Sequence, residues 1–254
     1  MPRFFIKNEN ISNEQEKVHI KGNDVKHIKN VLRLKLGDEI ECFNQDTKYL
    51  YLCEIEEFSK EVIQLKIVEK TKEEESKVKV SIFQGLPKQE KMELIIQKTV
   101  ELGGYDIYPI ILNRTIVKLD EKDKIRKVER WQKISEAAAK QSGRNSVPII
   151  RKINTIKEIL EKVKDYDVFL VTYEKEKKHT LKQSLKQLKE KNLDKISIAL
   201  LIGPEGGIEE NEVKQLKDKG AIVVTLGSRI LRTETVALNV LSNIMYELEE
   251  VVNE

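Results

Sequence analysis

The chain has few of the residues and segments that identify several classes of protein. It contains two cysteines, Cys42 and Cys53, and three histidines in 254 residues, and their spacing does not match a metal-binding set. So few cysteines indicate a reducing compartment rather than a disulfide-bonded secreted fold. The opening MPRFFIKNEN lacks the apolar core of a signal peptide, and no run approaches the roughly 18 apolar residues of a membrane span. We therefore expect a cytoplasmic protein with no metal and no membrane segment.

A large excess of one charge is also missing. Lys and Arg number 46 against 43 Asp and Glu, and 39% of the residues are hydrophobic, which is enough for a folded core. Any basic surface must therefore come from an uneven distribution of charge. Residues 1–35 carry eight basic and four acidic residues, net +4, whereas residues 36–70 carry four and nine, net −5. A solvated helix face and a nucleic-acid contact surface both explain this split.

The first 70 residues predict a small β-rich domain. The segments 39–43, 49–58 and 62–68 are rich in β-branched and aromatic residues and are separated by turn residues. Before them, 24–38 predicts a helix that ends at Gly37 and carries apolar residues at helical spacing, which are Val25, Ile28, Val31 and Leu32. Residues 71–79 are charged and poor in apolar residues, so they predict a linker.

From residue 80 onward, strands alternate with helices. The predicted strands are 78–85, 106–112, 166–173, 196–203 and 221–227. The predicted helices are 88–103, 125–143, 156–163, 209–220 and 235–251. Strands that are nearly all apolar and are separated by helices predict a buried parallel sheet in an α/β domain that occupies residues 80–254.

A glycine-rich turn, GPEGG at 203–207, joins a predicted strand to a predicted helix. Glycine lets the backbone approach a ligand, and turns at the carboxyl ends of parallel strands commonly bind nucleotide-like ligands. The turn matches neither the GxGxxG dinucleotide pattern nor the GxxxxGK[ST] phosphate loop. Its carboxylate, Glu205, and three glutamates at the start of the next helix disfavour a phosphate. We predict a neutral or cationic nucleoside derivative as the ligand; a purely structural turn is the alternative.

A second glycine turn follows the next strand, in the run VVTLGSRILRTETVALNVL. Gly227 closes the strand, and Arg229 and Arg232 flank an apolar pair. The run 233–235, Thr-Glu-Thr, predicts a helix start, because a hydroxyl cap stands beside an acidic residue of the first turn. The helix that follows has two apolar ridges, more than a simple amphipathic helix needs. Core packing and a subunit interface both explain the second ridge.

The motifs of the chain, taken in order, resemble one family of enzymes. They are RFF at the start, HIKNVLRLKLGDEI, QGLPKQEKMELIIQKTVELG, NRT at 113–115, RWQKISEAAAKQSGRNSVP and the two glycine turns. This set resembles the SPOUT class of methyltransferases. Within that class it is similar to the bacterial RsmE family, which methylates N3 of a particular uridine in small-subunit ribosomal RNA. The agreement covers nearly the whole chain.

The resemblance implies an architecture that periodicity alone does not give. Residues 80–254 would form an α/β domain with a SPOUT-type parallel sheet and a C-terminal trefoil knot. The tail from about Thr225 would pass through a loop of the chain, an exception to the general absence of knots. Residues 1–70 would form a small PUA-like β-barrel that binds RNA. The protein would be a homodimer, with the last helix and the 88–102 helix as candidate interface elements.

The resemblance also implies the cofactor, the substrate and the residues that bind the cofactor. The cofactor would be S-adenosyl-L-methionine, bent in the knot, with its adenine held mainly by backbone groups of 202–207 and 226–231. The substrate would be 16S ribosomal RNA, within the small ribosomal subunit. The implied cofactor-binding residues are Leu201, Ile202, Gly203, Pro204, Glu205, Gly206, Gly207, Leu226, Gly227, Ile230, Leu231, Arg232, Thr235 and Ala237.

The predicted catalytic residues follow from the chemistry of uracil. N3 carries a proton, so the site must assist deprotonation, stabilise the anion and align N3 with the methyl group. No histidine lies in either glycine turn. Arg114, Arg144 and Arg232 lie in the family motifs next to turns, where a guanidinium can stabilise an anion or bind phosphate; a structural salt bridge is the alternative. Glu234 could accept the proton or pair with Arg232.

Basic residues near the N-terminus predict a surface that follows the phosphates and positions the RNA without reading its bases. The predicted RNA-binding residues are Arg3, Lys26, Lys29, Arg33, Lys35 and Arg144. Trp131 lies in an apolar row of a predicted helix, so we predict a core position for it rather than base stacking.

Two other functions stay open at this point. The first is 2′-O-ribose methylation of RNA by a SPOUT enzyme of different specificity, which the PUA-like start and the QSGRN run disfavour. The second is an RNA-binding assembly factor that retains a vestigial cofactor pocket. The intact GPEGG and LRTET motifs disfavour that function, since an inactive site has no reason to keep both.

Overall fold

A computed structural model describes residues 1–12, 16–73, 76–191 and 193–248, and the chain divides into two units. The first unit comprises Met1–Glu75 with Ala139–Ser146, and the second comprises Ser76–Ala138 with Val147–Glu254. The predicted boundaries differ, because the last strand of the first unit extends into the predicted linker 71–79 and residues 139–146 group with the N-terminal part. Residues 74–75 of the linker and 249–251 of the predicted last helix lie outside the described residues.

The first unit is built on a six-stranded sheet. Its strands are β1 (Arg3–Ile6), β2 (Ile11–Ser12), β3 (Lys17–Lys21), β4 (Glu39–Asn44), β5 (Tyr49–Phe58) and β6 (Val62–Lys72). The strand order is β1-β4-β5-β6-β3-β2, and only the β1–β4 pair of this sheet is parallel. The three predicted strands are confirmed as β4, β5 and β6. Alternate residues of these strands are buried, as expected for a sheet with one face on a core.

The helix predicted over 24–38 is confirmed only in its first half. The helix α1 (Asn23–Lys26) continues as a π-helical turn over His27–Leu32, and the turn ends at Arg33, whose φ of 55° is left-handed. The prediction that the helix ends at Gly37 is therefore wrong. Val31, predicted on the apolar face, is 65% exposed. The wider i→i+5 turn rotates this position away from the core that Val25 and Ile28 enter.

The second unit is built on a seven-stranded sheet in which every pairing is parallel. Its strands are β7 (Val78–Gly85), β8 (Asp106–Ile111), β9 (Ile149–Ile150), β10 (Asn154–Thr155), β11 (Val168–Thr172), β12 (Ile196–Ile202) and β13 (Ile222–Val224). The strand order is β10-β8-β7-β12-β11-β13, with β9 also paired to β8. The predicted α/β fold with a parallel sheet is confirmed.

Six helices accompany this sheet among the described residues. They are α2 (Lys91–Glu101), α3 (Glu121–Gln141), α4 (Ile156–Leu160), α5 (Leu181–Glu190), α6 (Glu210–Asp218) and α7 (Thr233–Leu248). The helix α5 was not predicted, although Leu181, Leu185 and Leu188 repeat at helical spacing and Thr180 caps its start. Trp131 of α3 is 4% exposed, which confirms its predicted core position. None of the described helices is long and apolar enough to span a membrane.

Packing at the centre of the sheet fixes the strand ends that form the site. The central strands β7 and β12 are buried along most of their length, and Phe83 stacks on Tyr108 with ring centroids 4.3 Å apart. Helix α7 packs against α2 and also contacts β7 and β12. Because β11, β12 and β13 are parallel neighbours, their carboxyl ends lie at one edge of the sheet.

Candidate cofactor site

A cavity of about 580 Å³ lies where β11, β12 and β13 end. Three segments form most of its lining, which are residues 172–174, 202–208 and 225–233. Lys91 of α2 and Val236 of α7 complete the lining. The volume and the position at the carboxyl ends of parallel strands are typical of a site for a nucleoside-sized ligand. We call the two glycine turns, 202–207 and 225–233, the cradle.

Two positions in the first turn of the cradle have little room for a side chain, and both are glycine. A Cβ added at Gly203 would lie 2.9 Å from Cγ1 of Ile208, and one at Gly206 would lie 3.1 Å from both Cβ and the carbonyl oxygen of Arg114. Because the first contact is closer than carbon atoms normally approach and the second is tight, the turn packs closely only with glycine at these positions. Gly203, Gly206 and Gly207 all line the cavity, so the turn presents backbone to it.

The segment 113–115 supports the first turn from behind. Nη1 of Arg114 donates a hydrogen bond to the carbonyl oxygen of Gly206 at 3.0 Å. The backbone N–H of Asn113 donates to Oε1 of Glu212 at 2.9 Å, and Oε2 of Glu212 accepts the N–H of Glu209 at 3.0 Å. Glu212 is almost fully buried. The positive end of α6 is therefore occupied by the protein's own carboxylate, which disfavours a phosphate there.

The two turns of the cradle are joined by hydrogen bonds. Oγ1 of Thr233 donates to the carbonyl oxygen of Gly203 at 2.7 Å and accepts from Nε2 of Gln84 at 2.9 Å. Further back, the N–H of Thr225 donates to the carbonyl oxygen of His179 at 2.8 Å. The start of α7 is thus tied to the end of β7 and to the first turn, which holds the cavity walls in a defined geometry.

Three charged side chains meet at one side of the cavity. Nζ of Lys91 lies 3.2 Å from Oε1 of Glu205 and 3.4 Å from Oε2 of Glu234. The contact with Glu205 raises the pKa of Lys91; partial burial opposes that shift, and Glu234 adds to it. Burial acts to raise the pKa of Glu205, but hydrogen bonds from its own N–H and that of Lys88, together with Lys91, lower it below its ordinary value.

The structure brings most of the predicted cofactor-binding residues together. Those that line the cavity are Ile202, Gly203, Pro204, Glu205, Gly206, Gly207, Leu226, Gly227, Ile230, Leu231 and Arg232. The other three lie outside the lining. Leu201 and Ala237 are buried in the core, and Thr235 is exposed on α7. Leu201 lies within β12, where its side chain packs among apolar residues rather than at the strand end.

The sequence did not indicate all of the lining residues. The missed residues are Lys91, Thr172, Tyr173, Glu174, Ile208, Thr225, Thr233 and Val236, whereas Ser228 and Arg229 lie in the range 226–231 that the resemblance implied for the adenine. The segment 172–174 could have been found, since it follows an apolar strand that ends at the same sheet edge. Lys91 carries no such signal, because α2 is distant in sequence from both turns.

The predicted catalytic residues fall at three different places. Arg232 is exposed and lines the cavity, and Glu234 pairs with Lys91 rather than with Arg232. Arg114 supports Gly206. Arg144 belongs to the segment 139–146 of the first unit, where its N–H donates to the carbonyl oxygen of Ala139 at 3.0 Å.

Arg3 is held inside the first unit. Its Nε lies 2.7 Å from Oε2 of Glu41, and its Nη1 donates to the carbonyl oxygen of Gly143 at 2.6 Å and to the side chain of Asn145. The side chain is only 10% exposed. This geometry identifies Arg3 as an anchor for the segment 139–146, and the predicted RNA contact by its guanidinium conflicts with these bonds.

Apart from Arg144, the other predicted RNA-binding residues lie on α1 and in the turns that follow it. Lys26, Arg33 and Lys35 are exposed. Nζ of Lys29 donates to the carbonyl oxygen of Ser59 and lies 5.4 Å from the centre of the Phe58 ring. Three of these four cations therefore reach solvent freely. Across the described ranges, no group of three or more His, Cys, Asp or Glu residues could hold a metal ion.

Comparisons with known proteins identify the family of the chain. A family model described as an RNA methyltransferase domain matches residues 74–245, and one described as an RNA methyltransferase PUA domain matches residues 20–68. Ribosomal RNA small subunit methyltransferase E of Bacillus subtilis (strain 168) is 38% identical over 251 residues, which cover 98% of each chain.

Two solved structures extend the comparison. The ribosomal RNA small subunit methyltransferase E of Neisseria gonorrhoeae, bound to S-adenosyl methionine, is 31% identical with a TM-score of 0.83, covering 99% of this chain and 100% of that chain. A putative methyltransferase of Legionella pneumophila, in complex with the cofactor SAM, is 27% identical with a TM-score of 0.82, covering 96% of each chain. The chain belongs to the ribosomal RNA small subunit methyltransferase E family, with an RNA methyltransferase domain and a PUA domain.

Proposed function

We propose that this protein is an S-adenosylmethionine-dependent methyltransferase that modifies N3 of a specific uridine in 16S ribosomal RNA of the small ribosomal subunit. The observation that carries the proposal is the cradle, a cavity of nucleoside size between two glycine turns at the carboxyl ends of parallel strands. Membership of the family supports the methyl donor and the RNA substrate. The uridine and its N3 atom rest on the resemblance of the motifs.

The residues present fit S-adenosylmethionine. Glycines at 203, 206 and 207 leave backbone groups at the cavity surface, where they can hold an adenine, and the carboxylates of Glu174 and Glu205 suit a cationic ligand better than a phosphate. When bound, the cofactor supplies an electrophilic methyl group. The chain's own task is to hold that methyl group in line with the RNA base and to keep water out.

We assign the action on the uracil to two residues, Arg232 and Glu234. Arg232 lines the cavity and is exposed, so its guanidinium can stabilise the charge that develops when N3 loses its proton. Glu234, two residues further along the chain, is the proposed proton acceptor. Arg114 acts through Gly206 by supporting the first turn, and Arg144 contacts the RNA from the first unit. A stacked or paired uridine would have to be flipped out to reach the site.

Mass spectrometry of methylated RNA tests the proposal. The protein is incubated with labelled cofactor and either naked 16S RNA or small subunits from cells that lack the modification, and the digested nucleosides are then identified. We expect one labelled nucleoside, a uridine methylated at N3. A label on a ribose 2′-oxygen would replace the proposal by ribose methylation. The absence of any label from both substrates would indicate an RNA-binding assembly factor.

The proposed function includes finer features of the fold. We propose that the sheet of the first unit closes as a PUA-like barrel, a proposal supported by register shifts between β5 and β6 of the kind that bend a sheet. We also propose that the tail from Thr225 threads a loop of the chain to form a trefoil knot. The contacts of Thr225 with 179–181 and of Thr233 with Gly203 support that path. An experimental trace of the backbone tests both features.

The remaining proposals concern partners and location. The exposed cations of α1 and the following turn support an RNA-binding surface on the first unit. The exposed apolar residues Leu94 of α2 and Tyr246 of α7 support a homodimer formed through these helices. A ribosomal RNA substrate supports a cytoplasmic location, which fractionation of cells into cytoplasm and membrane would check.

A further inference from the structure

One ammonium group connects three distant segments at the candidate site. Lys91 is the first residue of α2, Glu205 belongs to the first glycine turn, and Glu234 belongs to the first turn of α7. The two nitrogen–oxygen distances, 3.2 and 3.4 Å, are ion-pair distances. No motif of the sequence predicts that these three side chains come together. Lys91 also lines the cavity.

The three side chains are partly shielded from water, so their charges are less screened than on an open surface. The side chains of Lys91, Glu205 and Glu234 are 30%, 28% and 16% exposed. Oε2 of Glu234 is buried and accepts no hydrogen bond from the described residues. Glu205 also accepts the N–H of Lys88 at 3.1 Å. Glu234 therefore relies on Lys91 more than Glu205 does.

Other charged groups at the cavity do not replace the lysine. The charged side chains that line it besides Lys91 and Glu205 are Glu174, Arg229 and Arg232. Within the described part of the chain, none of them forms an ion pair with Glu205 or Glu234. Without Lys91, the two carboxylates would repel each other in a partly desolvated site, and like charges that share such a site disfavour ionisation.

We propose that Lys91 is a positioning residue whose ammonium binds Glu205 and Glu234 together and thereby fixes the second turn of the cradle against the first. The inference rests on the proposed function in one respect, which is that the cradle binds the methyl donor. Lys91 transfers no group itself. It acts through the two carboxylates, one on the first turn and the other at the start of α7, directly after the second turn.

Calorimetric titration with S-adenosylmethionine measures this role without RNA. Lys91→Met keeps the length of the side chain and removes its charge, so we expect binding to weaken about tenfold near pH 7.5. Lys91→Arg retains the charge and should stay within about threefold of the wild type. The matched control is Lys124→Met, which removes a 26% exposed lysine from an ion pair with Glu121 on α3 and should leave the affinity unchanged.

The dependence on pH separates a charge effect from a steric one. The pKa of Glu205 is lowered in the folded protein. Its side chain therefore keeps its negative charge at the ordinary pKa of a glutamate and loses that charge only as the pH falls through the lowered value. Removing Lys91 raises that pKa, so protonation moves to higher pH. Titrations between about pH 5 and 8, in buffers of different ionisation enthalpy, should detect more proton exchange on binding in Lys91→Met than in the wild type. A purely steric role would weaken binding equally at every pH.

A second substitution keeps the test decisive. Glu234→Gln in the Lys91→Met background removes the repulsion without touching the cavity lining and should recover most of the lost affinity; it also answers the question if Lys91→Met alone fails to fold. Wild-type affinity in Lys91→Met with a flat pH profile, or no recovery in the double variant, would overturn the positioning role and leave the proposed function intact. A wild-type protein that binds no S-adenosylmethionine would instead overturn the proposed function.

Discussion

Gly206 shows how the absence of one side chain shapes the candidate site. A Cβ at this position would lie 3.1 Å from Cβ and from the carbonyl oxygen of Arg114, and the two further methyl groups of valine need more space still. We expect Gly206→Val to displace the first turn and weaken binding of S-adenosylmethionine by at least about tenfold, or roughly 1.4 kcal/mol, measured by calorimetry.

Gly206→Ala is the graded control for this prediction. One methyl group needs only a small movement of Arg114, so its effect on affinity should lie between those of the wild type and the valine variant. Circular dichroism melting shows whether either variant is folded. A folded valine variant that binds as tightly as the wild type would place the cofactor elsewhere.

At the level of single residues, the sequence predicted the groups that lie in the two turns and missed the groups that connect them. Glycines and Glu205 are recognisable because the turn itself carries them. Lys91, Gln84 and Thr233 act through partners far away in the chain. Only the packed sheet brings such pairs together, so neither spacing nor periodicity indicates them.

Among the elements, α1 and the turn that follows it carry the proposed RNA surface. We expect Arg33→Glu to weaken binding of 16S RNA about tenfold at low salt and to reduce the slope of affinity against salt concentration, because one phosphate contact is lost. Filter binding at several salt concentrations measures both quantities. The affinity for S-adenosylmethionine should not change.

The control for this prediction is Lys66→Glu, the reversal of an exposed charge on β6. It changes the net charge by the same amount at a position outside the predicted surface. If both variants lose RNA affinity equally, the effect is one of net charge and the surface is not specific. Equal affinity of Arg33→Glu and the wild type would remove α1 and its turn from the RNA interface.

Elements with a strong pattern were predicted well, and those with a weak or unusual pattern were not. The apolar strands β7 and β12 and the helices α2 and α7 lie where the sequence indicated. The two-residue strands β9 and β10 are too short to show alternation. The π-helical turn after α1 broke the 3.6-residue period on which the helix prediction depended.

For the whole molecule, the main prediction concerns its oligomeric state. Tyr246 on α7 is 81% exposed and Leu94 on α2 is 44% exposed, and these two helices pack together. Light scattering at micromolar concentration should give twice the chain mass of 29.5 kDa. Tyr246→Glu should shift the mass toward the monomer, since burial of an unpaired carboxylate is unfavourable.

Ile125→Glu on α3 provides the matched control for the dimer. Ile125 is 62% exposed, so the same apolar-to-acidic change is made on a helix outside the proposed interface, and the mass should stay that of a dimer. A wild-type protein with the mass of one chain would rule out the homodimer.

The division into two units was only partly accessible from the sequence. The change from β-rich to α/β pattern indicated a boundary near residue 70. The grouping of 139–146 with the first unit depends on contacts that Arg3 and Lys140 make across the unit, including the pair between Lys140 and Asp24 at 2.7 Å. Such contacts cannot be predicted from local composition.

The contribution of residues 225–236 to the cavity also sets a time at which the protein can first work. These residues leave the ribosome after α2 and the first turn, because they follow both in the sequence. Until Thr233 reaches Gly203, the early segments enclose only part of the space. A growing chain therefore has no complete site, and competence to bind the cofactor arises only after residues 225–236 have left the ribosome.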